Sequence, residues 1–286
     1  MYQEKRAKQS ELLQLLLLDN LYAQSGSERI IFQGGTALRW VYGGMRFSED
    51  LDFVTDLTRK GIETVLARAF PQVVKSCFAQ FGKGSAEQQI KEARKSAYKI
   101  LFVFRPETQR ERIAVRLEFE MLQKGRAPAY DRFVLMNLPH VAGLMVGGQL
   151  LLPYTSSIVL SETVEEILSD KIRALLERKY LKGRDLFDIW WIVTHRRITI
   201  PWRIVREKLG MYQSRFTPAR RGDYFQTGEA AAAMVRALEA DLTRFIPQQI
   251  IAEYRKDGFQ AIVGAVEGVT RELWEQGLRV YYETSG

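Results

Sequence analysis

The feature that most constrains this chain is the stretch of residues 32–53, around which a strand, a glycine turn, a helix and a second strand follow one another. The stretch begins Phe-Gln-Gly-Gly-Thr-Ala-Leu and ends Arg-Phe-Ser-Glu-Asp-Leu-Asp-Phe. The apolar residues 30–32 predict a short strand, and residues 36–42 predict a helix that follows the two glycines. Residues 49–55 predict the second strand.

The glycine turn predicts a phosphate-binding site. Gly34 and Gly35 let the backbone approach a ligand closely because neither has a side chain. Thr36 adds a hydroxyl, and the first N–H groups of a helix favour an anion. Arg46 and Ser48, just before the second strand, are predicted to contact the same phosphates. These five residues are the predicted nucleotide-binding set.

Two aspartates on the second predicted strand indicate a metal site. Asp50 and Asp52 lie two residues apart, so alternation places both on one face while Leu51 and Phe53 point into the core. Paired carboxylates repel each other unless a cation lies between them. Mg²⁺ prefers such oxygen ligands together with substrate phosphates, so we expect Mg²⁺, with Mn²⁺ as the alternative.

Composition narrows the class of protein. The formal net charge of +8 over 286 residues favours a polyanionic partner, and a basic protein that binds no nucleic acid is the open alternative. Cys77 is the only cysteine, which excludes an internal disulfide and fits a reducing compartment. Only two histidines are present, so oxygen-ligated metals are expected rather than a histidine-built zinc site. No membrane span or signal peptide is apparent, and we expect a cytoplasmic protein.

The segments that flank the glycine turn have weaker patterns. Residues 2–23 predict a helix with a leucine stripe. Residues 62–69 predict a second helix, which Pro71 is expected to end. Residues 78–95 are polar and basic, and predict either a mobile basic loop or a solvated helix.

A β-rich region follows. Residues 98–104 and 112–121 predict two strands of a hairpin with a longer loop. Residues 127–139 predict a loop, and residues 158–160 predict a last short strand.

The second half of the chain is predicted to be helical. Thr163 to Glu166 fits a capping box that opens a helix running to about Tyr180, and Gly183 stops it. Lys171 lies on the apolar stripe of this helix, where it either snorkels outward or is held in a pocket.

A further helix is predicted to start after Gly183. On residues alone, Asp185 is an N-terminal helix carboxylate satisfied by backbone N–H groups. Trp190 and Trp191 continue an apolar run and are predicted to belong to the core. Residues 201–286 predict further helices with basic tracts.

Three of these motifs resemble those of the AbiEii family of nucleotidyltransferases. These proteins are toxins of bacterial abortive-infection and MenAT-type toxin–antitoxin systems, within the DNA polymerase β-like superfamily. The glycine turn with its aspartate pair carries the resemblance, and residues 166–175 and 184–189 match the family's later motifs. The resemblance implies an α+β fold: a polymerase β-like nucleotidyltransferase core with a mixed sheet over residues 1–160, then a helical lobe over residues 161–286 that completes the active site.

The same resemblance assigns roles to individual residues. It implies that Asp50, Asp52, Lys171 and Asp185 are catalytic. It also implies that Glu118, on the second hairpin strand, is a third metal ligand. For Glu118, a cross-strand ion pair with a lysine or arginine is the open alternative.

The function implied by the resemblance is Mg²⁺-dependent transfer of a nucleoside monophosphate from an NTP to an RNA acceptor. The expected acceptor is the 3′ end of tRNA, and a cognate antitoxin protein is an expected partner. The alternative is an NTP-binding regulator or a phosphotransferase that acts on a partner protein. A module that binds nucleic acid through charge alone is a third hypothesis.

Overall fold

The fold is built on a seven-stranded mixed sheet, seen in a computed structural model that describes residues 4–154 and 157–285. The strands are β1 (Ile30–Gln33), β2 (Asp50–Thr55), β3 (Gly84–Ala93), β4 (Ala97–Pro106), β5 (Ile113–Met121), β6 (Tyr130–Val134) and β7 (Ile158–Glu162). Their spatial order is β3-β4-β5-β2-β1-β7-β6, with β2 parallel to β5 and β1 parallel to β7. The other neighbouring strands are antiparallel.

Helices cover the sheet and make up most of the chain after β7. They are α1 (Glu4–Tyr22), α2 (Gly34–Trp40), α3 (Arg59–Phe81), α4 (Pro139–Val146), α5 (Val164–Glu177), α6 (Gly183–His195), α7 (Trp202–Leu209), α8 (Gly228–Leu242), α9 (Gln248–Lys256), α10 (Gln260–Leu273) and α11 (Arg279–Ser285). In the described residues, no helix combines the length and apolar character needed to cross a membrane.

This architecture confirms the predicted α+β class with a mixed sheet. The predicted hairpin corresponds to β4 and β5, and the predicted last strand lies within β7. Trp190 and Trp191 are buried, as predicted. One continuous hydrophobic core contains residues from the sheet and from the C-terminal helices. The division at residue 160 stays a prediction.

Helix α1 supports the sheet next to the glycine turn. Its leucine stripe is buried, as the pattern of residues 2–23 predicts, although residues 2 and 3 lie outside the described residues. Gln14, fully buried on this helix, donates a hydrogen bond of 2.7 Å to the carbonyl of Ser48 and accepts one of 3.2 Å from the Trp40 indole. Because these bonds join α1, α2 and the entrance to β2, they fix the start of the aspartate strand.

The prediction that Pro71 ends a helix is wrong. Helix α3 continues through this proline to Phe81. A proline inside a helix removes one backbone hydrogen bond and costs about 3 kcal/mol. Phe70 and Val73 are buried on either side of it, and the burial of two such side chains is worth roughly as much. Tertiary packing therefore outweighs the local penalty.

Two predicted irregular segments contain strands instead. Residues 78–95, predicted as a loop or solvated helix, hold the end of α3 and edge strand β3, which pairs along its length with β4. Residues 127–139, predicted as a loop, contain edge strand β6, paired with β7. Both strands lie at sheet edges, and their side chains are exposed or only half-buried. Backbone pairing to a neighbour stabilises them, and hydrophobic alternation cannot reveal such pairing.

A buried acid on α1 gives the fold a testable pH dependence. Asp19 is fully buried and accepts hydrogen bonds from the Ser157 hydroxyl (2.6 Å) and the Tyr154 backbone N–H (3.3 Å). Burial raises the pKa of Asp19 from 3.8 to about 6, against the opposing effect of these bonds. Because the folded-state pKa is the higher one, the stabilising contribution of Asp19 is complete below pH 3.8 and is lost as the pH rises through about 6.

We therefore expect Asp19→Asn to become progressively more stable than the parent protein as the pH rises. The free energy of unfolding of Asp19→Asn minus that of the parent protein should be about 2 kcal/mol larger at about pH 7 than at about pH 4. Urea unfolding at both pH values measures this difference. Asp56→Asn, an exposed carboxylate control, should show no comparable trend. A pH-independent effect of Asp19→Asn would contradict the assignment.

Candidate active site

A polar cleft of about 580 Å³ opens where β2, β4 and β5 meet helices α5 and α6. The N-terminal residues of α2 form part of its wall. The predicted residues Gly34, Gly35, Arg46 and Ser48 line this cleft, together with the predicted catalytic or metal residues Asp50, Asp52, Glu118, Lys171 and Asp185. The sheet and the C-terminal helices thus contribute side chains to one site.

The diglycine segment lies against the acidic pair. Helix α2 begins at Gly34 itself, two residues earlier than predicted. Gly34 has φ +79°, and a Cβ atom there would lie 2.7 Å from Oδ2 of Asp52. A Cβ atom at Gly35 would clash with the Arg46 guanidinium and lie 3.2 Å from the Ser48 hydroxyl. Only glycine allows this close approach of backbone and functional side chains.

We expect Gly34→Ala to impair the site more than the fold. A positive φ costs an L-residue about 1 kcal/mol, and the new methyl group would also displace the Asp52 carboxylate. Gly125→Ala is the matched control, because Gly125 has φ +77° and an added Cβ would meet no atom within 4 Å. Urea unfolding should show similar losses for both variants. Only Gly34→Ala should weaken nucleotide binding in titration calorimetry, by roughly tenfold; equal nucleotide affinities would contradict this role.

Thr36 is positioned differently from its neighbours. It is fully buried, and its hydroxyl donates a hydrogen bond to the backbone carbonyl of Asp50. It does not line the cleft. The structure therefore places the hydroxyl where it holds α2 against β2, rather than where a phosphate would lie.

The two aspartates face the cleft from one side of β2. Leu51 and Phe53, between and after them, are fully buried in the hydrophobic core. Burial, with the nearby charges of Asp50 and Glu118, raises the pKa of Asp52 to about 7. Burial also raises the pKa of Asp50, although Arg116 opposes this rise. Two carboxylates are thus held close together in a partly dehydrated site.

The oxygen donors of this pair fit a divalent cation. Among the described residues, no hydrogen bond or ion pair reaches the Asp52 carboxylate, and the nearest cation to Asp50 is Arg116 at 3.9 Å. The described part of the chain contains no group of three or more His, Cys, Asp or Glu side chains that could hold a metal ion. Two carboxylates suffice for Mg²⁺, because this ion usually completes its shell with waters and substrate phosphates.

Glu118 is engaged in ion pairs. It lies beside Asp52 on the parallel strand β5 and contacts Lys99 at 3.0 Å and Arg116 at 3.1 Å. Burial opposes ionisation, but Lys99 and Arg116 lower the pKa of Glu118 overall. The cross-strand ion pair considered for this residue is therefore present. A role as a third metal ligand stays a prediction.

Lys171 is held in a buried ion network, so the snorkelling alternative is wrong. Its Nζ lies 2.9 Å from Asp185 and 2.8 Å from Asp188. Arg46 also binds Asp188 through two hydrogen bonds of 2.6 Å, and Arg178 binds Asp185. Three cations thus surround two carboxylates. Among the described residues, the Asp185 side chain accepts hydrogen bonds from Lys171 and Arg178 and from no backbone N–H group of α6, so it orients Lys171 rather than capping the helix.

The charges of this network stabilise one another. Burial opposes ionisation of Asp185 and Asp188, but the neighbouring cations hold the pKa of both carboxyls below the usual range. Burial likewise opposes protonation of Lys171, but the two carboxylates raise its pKa. Lys171 is therefore a permanently charged group on the wall of the cleft.

Two cations that sequence reasoning did not assign also line the cleft. Lys182 and Arg184 flank the start of α6, and in the described ranges neither has a carboxylate within ion-pair distance. The Arg184 guanidinium lies over the Phe245 ring at 5.5 Å. Burial and the charges of Arg178 and Arg184 lower the pKa of Lys182. The run Arg-Lys-Tyr-Leu-Lys-Gly-Arg at residues 178–184 was the available signal.

A second buried network of ion pairs lies next to the site. Lys208 is fully buried, with its Nζ 2.6 Å from Glu162, 3.0 Å from Glu166 and 3.0 Å from Asp170. Tyr212 donates a hydrogen bond of 2.6 Å to Asp170, which lines the cleft. The network connects α7 to β7 and α5, the helix that carries Lys171.

Comparison with solved structures shows a shared fold. The structure of JHP933 from Helicobacter pylori matches with a TM-score of 0.58 and 16% identity, over 99% of this chain and 100% of that chain. A putative nucleotidyltransferase from H. pylori matches with a TM-score of 0.55 and 16% identity, over 96% and 98% of the two chains. No curated protein matches the sequence.

The family comparison covers most of the chain. The model of the nucleotidyl transferase AbiEii toxin family, Type IV toxin–antitoxin system, matches residues 16–267. This span includes the glycine turn, the aspartate strand and both helices that build the Lys171 network. The chain therefore belongs to the AbiEii family of nucleotidyltransferase toxins.

Proposed function

We propose that this protein is a Mg²⁺-dependent nucleotidyltransferase toxin that transfers a nucleoside monophosphate from an NTP to a hydroxyl of an RNA acceptor, the 3′ end of tRNA. The observation that carries the proposal is the Asp50 and Asp52 pair, which faces a cleft that is also lined by Lys182 and Arg184, two cations without carboxylate partners among the described residues. An acidic pair and free cations together suit a metal-bound polyphosphate. The family membership supports transferase chemistry.

Some of the cleft residues would bind the metal, and others would contact the phosphates. Asp50 and Asp52 would hold Mg²⁺, or Mn²⁺ in its place, which supplies positive charge to the α-phosphate and to the departing pyrophosphate. Gly34 and Gly35 allow the phosphates to approach the backbone, and the Ser48 hydroxyl is within the same wall. Lys182 and Arg184 would neutralise the β- and γ-phosphates.

The chemical step requires positive charge beside the reacting phosphorus. The acceptor hydroxyl gives up its proton to solvent as its oxygen forms a bond to the α-phosphorus, the bond from that phosphorus to the bridging oxygen breaks, and pyrophosphate leaves. Lys171 stabilises the negative charge that develops, and its fixed position spares the reaction the cost of reorganising solvent. Asp185 and Asp188 act as positioning residues because they hold this ammonium group in place.

The proposed macromolecular partners are an RNA and an antitoxin. The net charge of +8 suits RNA, and transfer to a tRNA 3′ end would block aminoacylation. A cognate antitoxin protein follows from the type of system to which the family belongs. Such an RNA target would place the protein in the cytoplasm.

The test is to incubate the protein with each α-³²P-labelled NTP, Mg²⁺ and a total tRNA pool. We expect label at RNA 3′ ends with at least one NTP, and loss of that label with EDTA. Absence of label on every RNA with all four NTPs would contradict the RNA acceptor. A parallel incubation with γ-³²P-labelled NTPs and a cell extract distinguishes the alternative, because transfer of the γ-phosphate to a protein would replace nucleotide transfer as the function.

A further inference from the structure

Tyr180, an unusually exposed aromatic residue, lies beside the cleft. Tyr180, in the loop of residues 178–182 between α5 and α6, is 83% exposed, whereas the exposed aromatics Phe78 and Tyr130 are 43% and 39% exposed. Arg178 and Lys182, on either side of it, line the cleft, but Tyr180 does not. Its ring therefore lies at the rim, outside the space proposed for the triphosphate.

Hydrogen bonds from residues 219 and 220 fix the loop that carries this ring. The Arg220 guanidinium donates hydrogen bonds to the carbonyls of Leu175 (2.8 Å), Arg178 and Lys179 (2.9 Å). The adjacent backbone N–H, at Ala219, donates to the carbonyl of Leu176 at 2.8 Å. These bonds hold the loop in one conformation, so the exposed ring is presented by an ordered backbone.

Unpaired positive charge lies close to Tyr180 along the chain. Lys179 and Lys182, within the same loop, and Arg184, at the start of α6, make no ion pair among the residues the structure describes. An exposed aromatic ring among such cations suits single-stranded nucleic acid, whose bases stack on aromatic side chains while phosphates contact Lys and Arg. A protein partner would instead be expected to cover a larger apolar patch.

We propose that Tyr180 stacks on an unpaired base near the 3′ end of the RNA acceptor, while Lys179 contacts the adjacent phosphate. This inference rests on the proposed function, because it assigns the rim to the acceptor and the cleft to the NTP. The ring's position outside the cavity favours the acceptor over the nucleotide base. Because the backbone that carries the ring is already ordered, little further conformational entropy is lost when RNA binds.

The experiment measures RNA binding without catalysis. The probe is a 5′-fluorescein-labelled RNA hairpin with an unpaired 3′ overhang, titrated in EDTA without NTP and followed by fluorescence anisotropy. Tyr180→Ala should weaken binding about tenfold or more, the range expected for loss of one base–aromatic stack. Tyr180→Phe should bind as the parent protein does, since it keeps the ring. Val146→Ala, at a 91% exposed site, should also leave binding unchanged.

A blunt-ended RNA duplex serves as the second probe. Its affinity should change little with Tyr180→Ala, because it offers no unpaired base to the ring. Equal binding of the overhang by Tyr180→Ala and the parent protein would overturn the proposal, as would equal losses in the Ala and Phe variants. Because no NTP or metal is present, a failure of base stacking is distinguishable from a failure of nucleotide transfer, which the labelling assay measures separately.

Discussion

Asp52→Asn should lower the rate of nucleotide transfer by roughly a thousandfold or more while leaving the protein folded. The substitution keeps the size of the side chain but removes one of the two charges proposed to hold the metal, and loss of a single transition-state contact alone costs about a hundredfold to a thousandfold. The measurement is the initial rate of label transfer from an α-³²P-labelled NTP to RNA. Asp50→Asn should behave similarly.

The matched control for this prediction is Asp56→Asn, just beyond the same strand. Asp56 pairs with Arg29 at an exposed site, so its loss should change the rate by less than about twofold. Stability provides a second check. Burial raises the pKa of Asp52, so the charged side chain destabilises the metal-free fold, and Asp52→Asn should melt at the same or a higher temperature in EDTA. Retention of full transfer activity by Asp52→Asn would contradict the assignment.

Lys208→Met should cost about 3–5 kcal/mol of unfolding free energy, the usual effect of removing one partner from a buried ion cluster. The substitution leaves Glu162, Glu166 and Asp170 together without the cation that joins them. Their protonation would relieve the repulsion, so the loss should be smallest at low pH and grow as the pH rises. Urea unfolding at several pH values measures both effects.

The control for this prediction is Lys256→Met. Lys256 forms an ion pair with Glu253 on the surface of α9, and its loss should cost less than about 0.5 kcal/mol. If Lys208→Met lost less than about 1 kcal/mol of unfolding free energy, this result would contradict a stabilising role for the buried ion network.

The parts of the site that could be predicted are those encoded by neighbouring residues. Alternation along a single strand brings Asp50 and Asp52 to one face, and glycines close to them in sequence signal a close backbone approach. Lys171 and Asp185 could be assigned through the resemblance to a family. In isolation, Lys171 on an apolar stripe left two interpretations open, and only its tertiary partners distinguish them.

The parts that could not be predicted depend on contacts between distant segments. Arg46 and Asp188 are separated by 142 residues, and Lys208 and Glu162 by 46, so no local pattern links them. Strand β3 was missed for a related reason. Its side chains are polar because it lies at a sheet edge, and its stability comes from backbone pairing with β4.

The most direct test of the central claim is the anomalous scattering of Mn²⁺ in crystals grown with Mn²⁺ and a non-hydrolysable NTP analogue. We predict an anomalous peak bound by the carboxylates of Asp50 and Asp52, with the triphosphate between that ion and the side chains of Lys182 and Arg184. A triphosphate bound elsewhere on the protein, or one bound in this cleft with no metal at either aspartate, would contradict the account.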